Sequence, residues 1–237
     1  MANLNSSRSL FAKLRASIIA VALVVFMMSC LDDDNADTVQ PVPVSYVSIY
    51  NASPDAPALD VIVDSKRVNA YPFDYTDYSG YLNFYTGERN FTISSFNASN
   101  ALVDTTLNLV QGNAYSLFLI DRVSSLETLL VRDSTAAPAT GKAVVRFVHL
   151  SPDAPQVSVN VAGDSTELFT QTGFRSVTSF KEVDAKTYSF EVKDANGNVL
   201  LNAKDVNLES GGYYSILVRG FATPPAGSNN ALSVEVI

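Results

Sequence analysis

The fold of this chain is decided by the stretch Asn51-Ala52-Ser53-Pro54-Asp55-Ala56-Pro57, because it returns 98 residues later as His149-Leu150-Ser151-Pro152-Asp153-Ala154-Pro155. A second stretch, Gly112-Asn113-Ala114-Tyr115-Ser116, returns 99 residues later as Gly211-Gly212-Tyr213-Tyr214-Ser215. Two pairs of markers with nearly the same offset predict an internal duplication.

Apolar and polar side chains alternate around these markers, with the same phase in both copies. The matched apolar positions are Val47 and Ile49 with Val145 and Phe147, then Leu59, Val61 and Val63 with Val157, Val159 and Val161, then Tyr115, Leu117 and Leu119 with Tyr214, Ile216 and Val218. A period of two is typical of strands with one buried and one solvent-exposed face. The sequence therefore predicts an all-β protein with two tandem antiparallel β-sandwich domains, immunoglobulin-like or transthyretin-like.

The chain divides into five predicted segments. They are a lipoprotein signal peptide at 1–29, a lipid-anchored flexible tether at 30–43, β-sandwich repeat 1 at 44–132, a linker at 133–141 and β-sandwich repeat 2 at 142–237. The tether and the linker contain proline and lack a periodic apolar pattern, which is typical of connecting segments.

The N-terminus has the features of a secretion signal. Three basic residues precede an uncharged run of 13 residues at 16–28, whereas a membrane-spanning helix needs about 20. The run ends in Met27-Met28-Ser29-Cys30, which resembles the lipobox of bacterial lipoproteins, and Cys30 is the only cysteine of the chain. We expect Cys30 to be lipidated; the alternative is an ordinary cleaved signal followed by a chance cysteine.

The residues after Cys30 predict where the protein lies, and the net charge of the mature chain excludes some classes of partner. Asp32-Asp33-Asp34 follows the cysteine and resembles the surface-export signal of Bacteroidetes lipoproteins. It predicts the outer face of the outer membrane, with a periplasm-facing anchor or a plain acidic spacer as alternatives. Without residues 1–29 the chain has 13 Lys and Arg against 24 Asp and Glu, a net charge of −11. This charge repels phosphate groups, so we expect no nucleic-acid partner and contact with the membrane only through the lipid.

The repeated motif also resembles a known family. A strand ending in His or Asn, followed by Ser-Pro-Asp-Ala-Pro and an alternating valine strand, is similar to the domain of unknown function 4397. The resemblance covers nearly all of the mature chain and implies repeated extracellular β-domains of bacterial envelope proteins. Asn51 stands where the second copy has His149. The family has no established activity, so the resemblance implies an architecture and leaves the function open.

The repeated motif does not predict catalysis. His149, Ser151 and Asp153 supply the residue types of a hydrolase triad, but triad members converge from separate elements, and Asn51 cannot act as a base in the first copy. We expect two tight turns, with a ligand role for the aspartates as the alternative. The turn residues are Asn51, Ser53, Pro54, Asp55, Pro57, His149, Ser151, Pro152, Asp153 and Pro155.

No metal site or cofactor is predicted. Asp194-Ala195-Asn196-Gly197-Asn198 has some oxygen ligands of a calcium loop but lacks the terminal bidentate Glu. An Asn-Gly pair between strands favours a hairpin instead.

The segment at 71–85 is unusual because seven of its fifteen residues are aromatic, against three at 169–183 in the second copy. The shared fold therefore does not demand Tyr75, Tyr78 and Tyr81. Tyrosine beside aspartate suits recognition of sugars or peptides, so these three are candidate ligand-binding residues. The alternative is that they pack in the local core or at the domain junction.

Two further residues are candidate modification sites. Asp37-Thr38-Val39 and Asp133-Ser134-Thr135 resemble the acceptor triplets for O-glycans in Bacteroidetes. We therefore predict O-glycosylation at Thr38 and Ser134, with chance occurrence as the alternative.

The predicted function is a non-enzymatic, surface-tethered lipoprotein that acts as an extracellular binding or scaffolding module for a glycan or protein. A structural subunit of an envelope or pilus-like assembly, joined through sheet edges, is the first alternative. An envelope hydrolase is the second and weaker one, because the sequence has no nucleophile–base pair, metal cluster or phosphate loop.

Overall fold

The computed structural model describes residues 42–133, 136–164 and 166–237. The predicted signal peptide, Cys30, Thr38 and Ser134 lie outside the described residues and stay predictions. No helix in the described part of the chain has the length and apolar character that crossing a bilayer requires.

The described residues form sixteen β-strands and one 3₁₀ turn, Val123–Ser125. The strands are β1 (Val44–Asn51), β2 (Leu59–Val63), β3 (Lys66–Arg67), β4 (Tyr78–Tyr85), β5 (Gly87–Ser95), β6 (Ala101–Leu109), β7 (Ala114–Ile120), β8 (Glu127–Arg132), β9 (Lys142–His149), β10 (Val157–Val161), β11 (Glu167–Thr172), β12 (Lys181–Asp184), β13 (Thr187–Lys193), β14 (Val199–Asn207), β15 (Tyr213–Arg219) and β16 (Ser233–Val236).

These strands form four sheets of four strands each, which confirms the predicted all-β sandwich class. The first sandwich stacks an outer sheet, β3-β2-β5-β6, on an inner sheet, β4-β1-β7-β8. The second sandwich stacks an outer sheet, β11-β10-β13-β14, on an inner sheet, β12-β9-β15-β16. The strand order is the same in both sandwiches, β1 corresponding to β9 and β7 to β15.

Each inner sheet contains one parallel pair, which the sequence pattern does not reveal. β1 runs parallel to β7, and β9 runs parallel to β15, whereas the other strand pairs are antiparallel. Side chains alternate between the faces in both kinds of pairing. The period of two therefore predicts the strands but not the direction of their neighbours.

A core of apolar side chains lies between the two sheets of each sandwich. Phe91, Ile93 and Leu117 are fully buried in the first, and Phe147 and Phe190 in the second. Burying a side chain of this size stabilises the fold by about 1.5–3 kcal/mol. The matched apolar positions of the sequence lie on these inward faces, so the alternation predicts the core side of each strand.

A third apolar cluster joins the two inner sheets across the sandwich junction. Its buried members are Tyr50, Ala52, Phe118 and Ile120 from the first sandwich and Val148, Leu150 and Leu217 from the second. The expectation of a solvent-exposed face is therefore wrong for the four central strands. Ser48 and Arg146 lie on the faces that the alternation predicts to be solvent-exposed. Each is only 3% exposed, because the other sandwich covers it.

Candidate functional site

The two Ser-Pro-Asp-Ala-Pro motifs tie the end of one central strand to the loop after its parallel neighbour. In both motifs the serine hydroxyl donates to a loop carbonyl and the aspartate accepts backbone N–H groups. The hydrogen bonds are Ser53 Oγ to Asp121 O at 2.6 Å, Val123 N to Asp55 Oδ1 at 2.7 Å, Ser151 Oγ to Gly220 O at 2.6 Å, Ala222 N to Asp153 Oδ1 at 2.8 Å and Thr223 N to Asp153 Oδ2 at 3.1 Å. Both carboxylates are thus engaged by backbone N–H groups of the chain itself.

Asn51 and His149, two residues before each motif, are buried. Asn51 Nδ2 donates to Phe73 O at 3.2 Å, and His149 Nε2 lies 3.0 Å from Pro155 O. Burial lowers the pKa of His149, because the protonated ring loses its hydration. A neutral, enclosed ring that bonds its own turn is poorly placed to serve a substrate.

Tyr75 lies apart from the other two candidate tyrosines. Its phenol oxygen is buried, and the guanidinium carbon of Arg219 lies 5.3 Å from its ring centroid. Burial raises the pKa of Tyr75. Tyr75 is thus packed against the second sandwich, in the arrangement that the junction alternative predicts.

Tyr78 and Tyr81 share one face of β4 because of a β-bulge. Ser48 and Tyr50 are two residues apart on β1, yet their partners, Tyr81 and Tyr78, are three apart. Gly80 has φ +66°, a left-handed conformation that glycine adopts without steric cost. The extra residue turns both rings toward the junction.

The two tyrosines line a cleft of about 350 Å³ between the sandwiches. Tyr78 is 47% exposed and Tyr81 50% exposed. The remaining lining residues are Ala114, Ser116, Asp133, Arg146, Phe180, Tyr213, Ser215 and Ile237. We call this space the junction cleft. Pockets of this size bind small ligands in other proteins.

The floor of the junction cleft is a buried ion pair. Arg146 donates to Asp133 at 2.7 Å, to Ser116 Oγ at 2.8 Å and to Ser215 Oγ at 2.9 Å. The side chains of Arg146 and Asp133 are only 4% and 6% exposed. Tyr81 donates to the second oxygen of Asp133 at 2.7 Å. The pair links the end of the first sandwich to the centre of the second.

Burial and the hydrogen bond to Asp133 raise the pKa of Tyr81. Its hydroxyl therefore stays protonated and remains a donor. Phe180 lies over the Arg146 guanidinium, with 4.8 Å from the guanidinium carbon to the ring centroid. Tyr213 meets Phe180 edge to face at 6.0 Å and donates to Ala136 O at 2.8 Å. The cleft thus combines a hydrogen-bonded floor with aromatic walls.

The sequence predicted Tyr78 and Tyr81 as candidate binding residues but did not predict the floor beneath them. Arg146 interrupts the apolar run Ala143-Val144-Val145-Arg146-Phe147-Val148, and a lone charge in such a strand is a signal of a paired, buried group. Asp133 was assigned to the linker and gave no signal, because its role depends on a residue 13 positions away. Within the described ranges, no three His, Cys, Asp or Glu side chains group to hold a metal ion.

Several solved structures match the chain at low identity. One, described as alpha-glucan binding by a streptococcal virulence factor, is 16% identical, with 73% of this chain and 92% of that chain covered and a TM-score of 0.24. A family 26 carbohydrate-binding module of Eubacterium rectale Amy13K, in complex with maltoheptaose, is 14% identical, with 81% and 96% covered and a TM-score of 0.24. At such TM-scores the likeness carries no argument about function.

The sequence comparisons concern the family. No curated protein matches the chain. The family described as Domain of unknown function (DUF4397) matches residues 45–160, which span the first sandwich, the join, β9 and most of β10. This match supports the family resemblance that the two Ser-Pro-Asp-Ala-Pro motifs carry.

Proposed function

We propose that this protein is a non-enzymatic, lipid-anchored binding module of the bacterial cell surface, and that the junction cleft binds an extracellular glycan. The observation that carries the proposal is the pair Tyr78 and Tyr81, half-exposed above the buried Arg146–Asp133 floor. A shared fold does not require this pair, since the second sandwich has no equivalent tyrosines.

The walls suit the apolar face of a sugar ring. Tyrosine rings offer a flat apolar surface while their hydroxyls remain hydrogen-bonded. Tyr78 and Tyr81 lie on a strand, and the Gly80 bulge fixes their direction. A site on regular structure binds with little loss of side-chain entropy.

The floor suits a neutral ligand with oxygen acceptors. Arg146 has five N–H donors, and three of them bond Asp133, Ser116 and Ser215. The described residues supply no acceptor for the other two. Asp133 already accepts hydrogen bonds from Arg146, Ser116 and Tyr81. A ligand that accepts hydrogen bonds from Arg146 therefore gains more binding free energy than one that donates to Asp133. Because the ion pair is neutral overall, a charged ligand would leave an unbalanced charge in the cleft.

The test is binding of the soluble fragment 31–237, which lacks Cys30, to a panel of neutral oligosaccharides by titration calorimetry. Tyr78→Ala should weaken binding at least about tenfold, because a well-packed aromatic contact contributes more than 1 kcal/mol. The matched control is Tyr85→Ala, on the same strand and 62% exposed but outside the cleft. Equal loss in both variants would refute the cleft assignment. If no oligosaccharide binds, but a protein binds and is lost in Tyr78→Ala, the ligand of the cleft is a protein and not a glycan.

The anchor has its own test. Cys30→Ala should abolish lipid labelling and release the protein from the membrane fraction, because Cys30 is the only cysteine. Labelling that persists in the variant would contradict the lipoprotein proposal. Protease accessibility on intact cells would then separate a surface-exposed anchor from a periplasm-facing one.

A further inference from the structure

A polar depression lies on the outer sheet of the second sandwich and shares no lining residue with the junction cleft. Ser158 and Asn160 point to the outer face of β10, yet they are only 1% and 4% exposed. They form the floor of a space of about 370 Å³ between β11 and the hairpin that follows β13. Side chains on the outer face of such a sheet are normally exposed to solvent, so the burial of Ser158 and Asn160 requires an explanation. We call the space the outer depression.

Asn160 is incompletely bonded. Its side-chain oxygen is buried, and none of the described residues donates a hydrogen bond to it. An unsatisfied buried amide oxygen costs about 1–3 kcal/mol, and native proteins nearly always provide a partner. The oxygen therefore marks a place where a donor from outside the chain fits.

The first sandwich fills the equivalent place with its own side chain. Asp60 on β2 corresponds to Ser158 and is 1% exposed. It accepts from Arg67 Nη2 at 2.9 Å and from Asn97 N at 2.8 Å. A guanidinium group thus covers the outer face of the first sandwich at this position. Ile62 stands where the second sandwich has Asn160, so the first sandwich has no amide oxygen at that position.

The second sandwich has the acceptors but lacks the guanidinium. Glu167 and Asp194 are among the residues that line the outer depression. Hydrogen bonds from Asn198 hold the pKa of Asp194 below its usual value, so Asp194 is anionic at neutral pH. Lys193, which also lines the space, is paired with Glu191 at 2.9 Å. The lining is therefore acceptor-rich and has a negative balance.

We infer that the outer depression is a second binding site and that it takes the guanidinium group of an arginine side chain on an extracellular partner protein. The arginine supplies the group that Arg67 supplies within the first sandwich. Its N–H donors satisfy Asn160, and its charge is balanced by Glu167. This site is independent of the glycan proposed for the junction cleft.

The test uses N-acetyl-arginine amide as the probe and N-acetyl-citrulline amide as its neutral isostere. Titration of ¹⁵N-labelled mature protein should shift the Asn160 side-chain amide signal with the arginine probe and leave it unchanged with citrulline. Equal shifts with both probes would overturn recognition of the cation. An unchanged Asn160 signal at a saturating probe concentration would overturn the site.

Variants from the chain itself sharpen the test. Asn160→Ile installs the residue of the first sandwich and should abolish probe binding, whereas Glu167→Gln, at an exposed position, should weaken it at least about fivefold without affecting folding. Tyr78→Ala, in the junction cleft, should leave probe binding unchanged. Probe binding that is undiminished in Glu167→Gln would contradict charge pairing with Glu167. Loss of probe binding in Tyr78→Ala would show that the probe binds in the junction cleft and not in the outer depression.

Discussion

The two sandwiches have the same strand order but differ in their polar side chains at equivalent positions. Ser48 of the first corresponds to Arg146 of the second, and Ile62 corresponds to Asn160. The core positions, in contrast, are apolar in both. The comparison teaches that the fold tolerates either side chain on the sheet faces that point away from each sandwich core. The candidate sites lie where the two copies differ.

Ser48 and Arg146 also differ in whether they need a partner of opposite charge at the junction. Ser48 is a small neutral group that bonds Tyr115 O and Ser116 Oγ weakly, at 3.4 and 3.5 Å. Arg146 is a charge that the opposite sandwich must balance with Asp133. The second sandwich therefore depends on the first more than the strand patterns suggest. The following predictions test that dependence.

Separating the sandwiches should have the largest effect. Fragments 43–133 and 142–237 should each keep β-type circular dichroism but unfold at lower urea concentration than residues 43–237. Each large side chain of the junction cluster that is re-exposed, such as Phe118 or Leu217, removes about 1.5–3 kcal/mol. Fragments as stable as the joined protein would show that the junction contributes nothing.

Giving the second sandwich the residue of the first should have the next largest effect. Arg146→Ser leaves Asp133 buried without its cation, which should lower the free energy of unfolding by about 3–5 kcal/mol. Arg219→Ser is the control, because the Arg219–Glu235 pair is more exposed, and it should cost about 1 kcal/mol. Urea melts of both variants measure the difference. Similar losses would mean that burial of the pair is not decisive.

Removing the bulge glycine should cost about 1–2 kcal/mol. Gly80→Ala places a Cβ in the left-handed region at φ +66°, whereas Gly80→Asn should cost less, because asparagine tolerates that region. No neighbouring atom lies within 4 Å of the added Cβ, so backbone strain accounts for the loss. Thermal melts that rank alanine equal to asparagine would contradict this cause. The second sandwich has a register shift at the same place, from Val145 paired with Lys181 to Val148 paired with Val177, but no glycine lies there.

Exchanging His149, two residues before the second motif, should have the smallest effect, confined to low pH. Folding lowers the pKa of His149 below its ordinary value of 6.5. The unfolded chain therefore binds the proton first, so this contribution to stability is complete above about pH 6.5 and is lost as the pH falls toward the folded pKa. His149→Asn, which copies Asn51, should remove that part of the pH dependence. Urea melts of both proteins between pH 7.5 and about pH 5 should thus diverge in slope; parallel curves would refute the assignment.

Much of the fold was predictable from the sequence because it depends on local pattern. Val47 and Ile49 alternate with polar neighbours, and alternation alone predicts a strand and its buried face. The parallel pairing of β1 with β7 was not predictable, because both kinds of pairing have the same period. The burial of Ser48 was not predictable either, since it results from the opposite sandwich.

The candidate sites divide in the same way. Tyr78 and Tyr81 were predicted because the second copy lacks them, and a comparison of copies needs only the sequence. That they share a face depends on the bulge at Gly80. That Tyr75 does not join them depends on Arg219, 144 residues away.

The sequence by itself determined the strand class, the inward core positions and the repeated turns, because each depends on residues close together along the chain. Tertiary structure alone decided that Asp133 and Arg146 form a buried pair beneath the tyrosines. It also decided that the side-chain oxygen of Asn160 has no donor among the described residues, whereas Arg67 pairs with Asp60 at the equivalent place of the first sandwich. The physical reason is that burial and pairing of charges depend on distance in space. That distance is determined by the strand pairing within each sandwich and by the packing of one sandwich on the other.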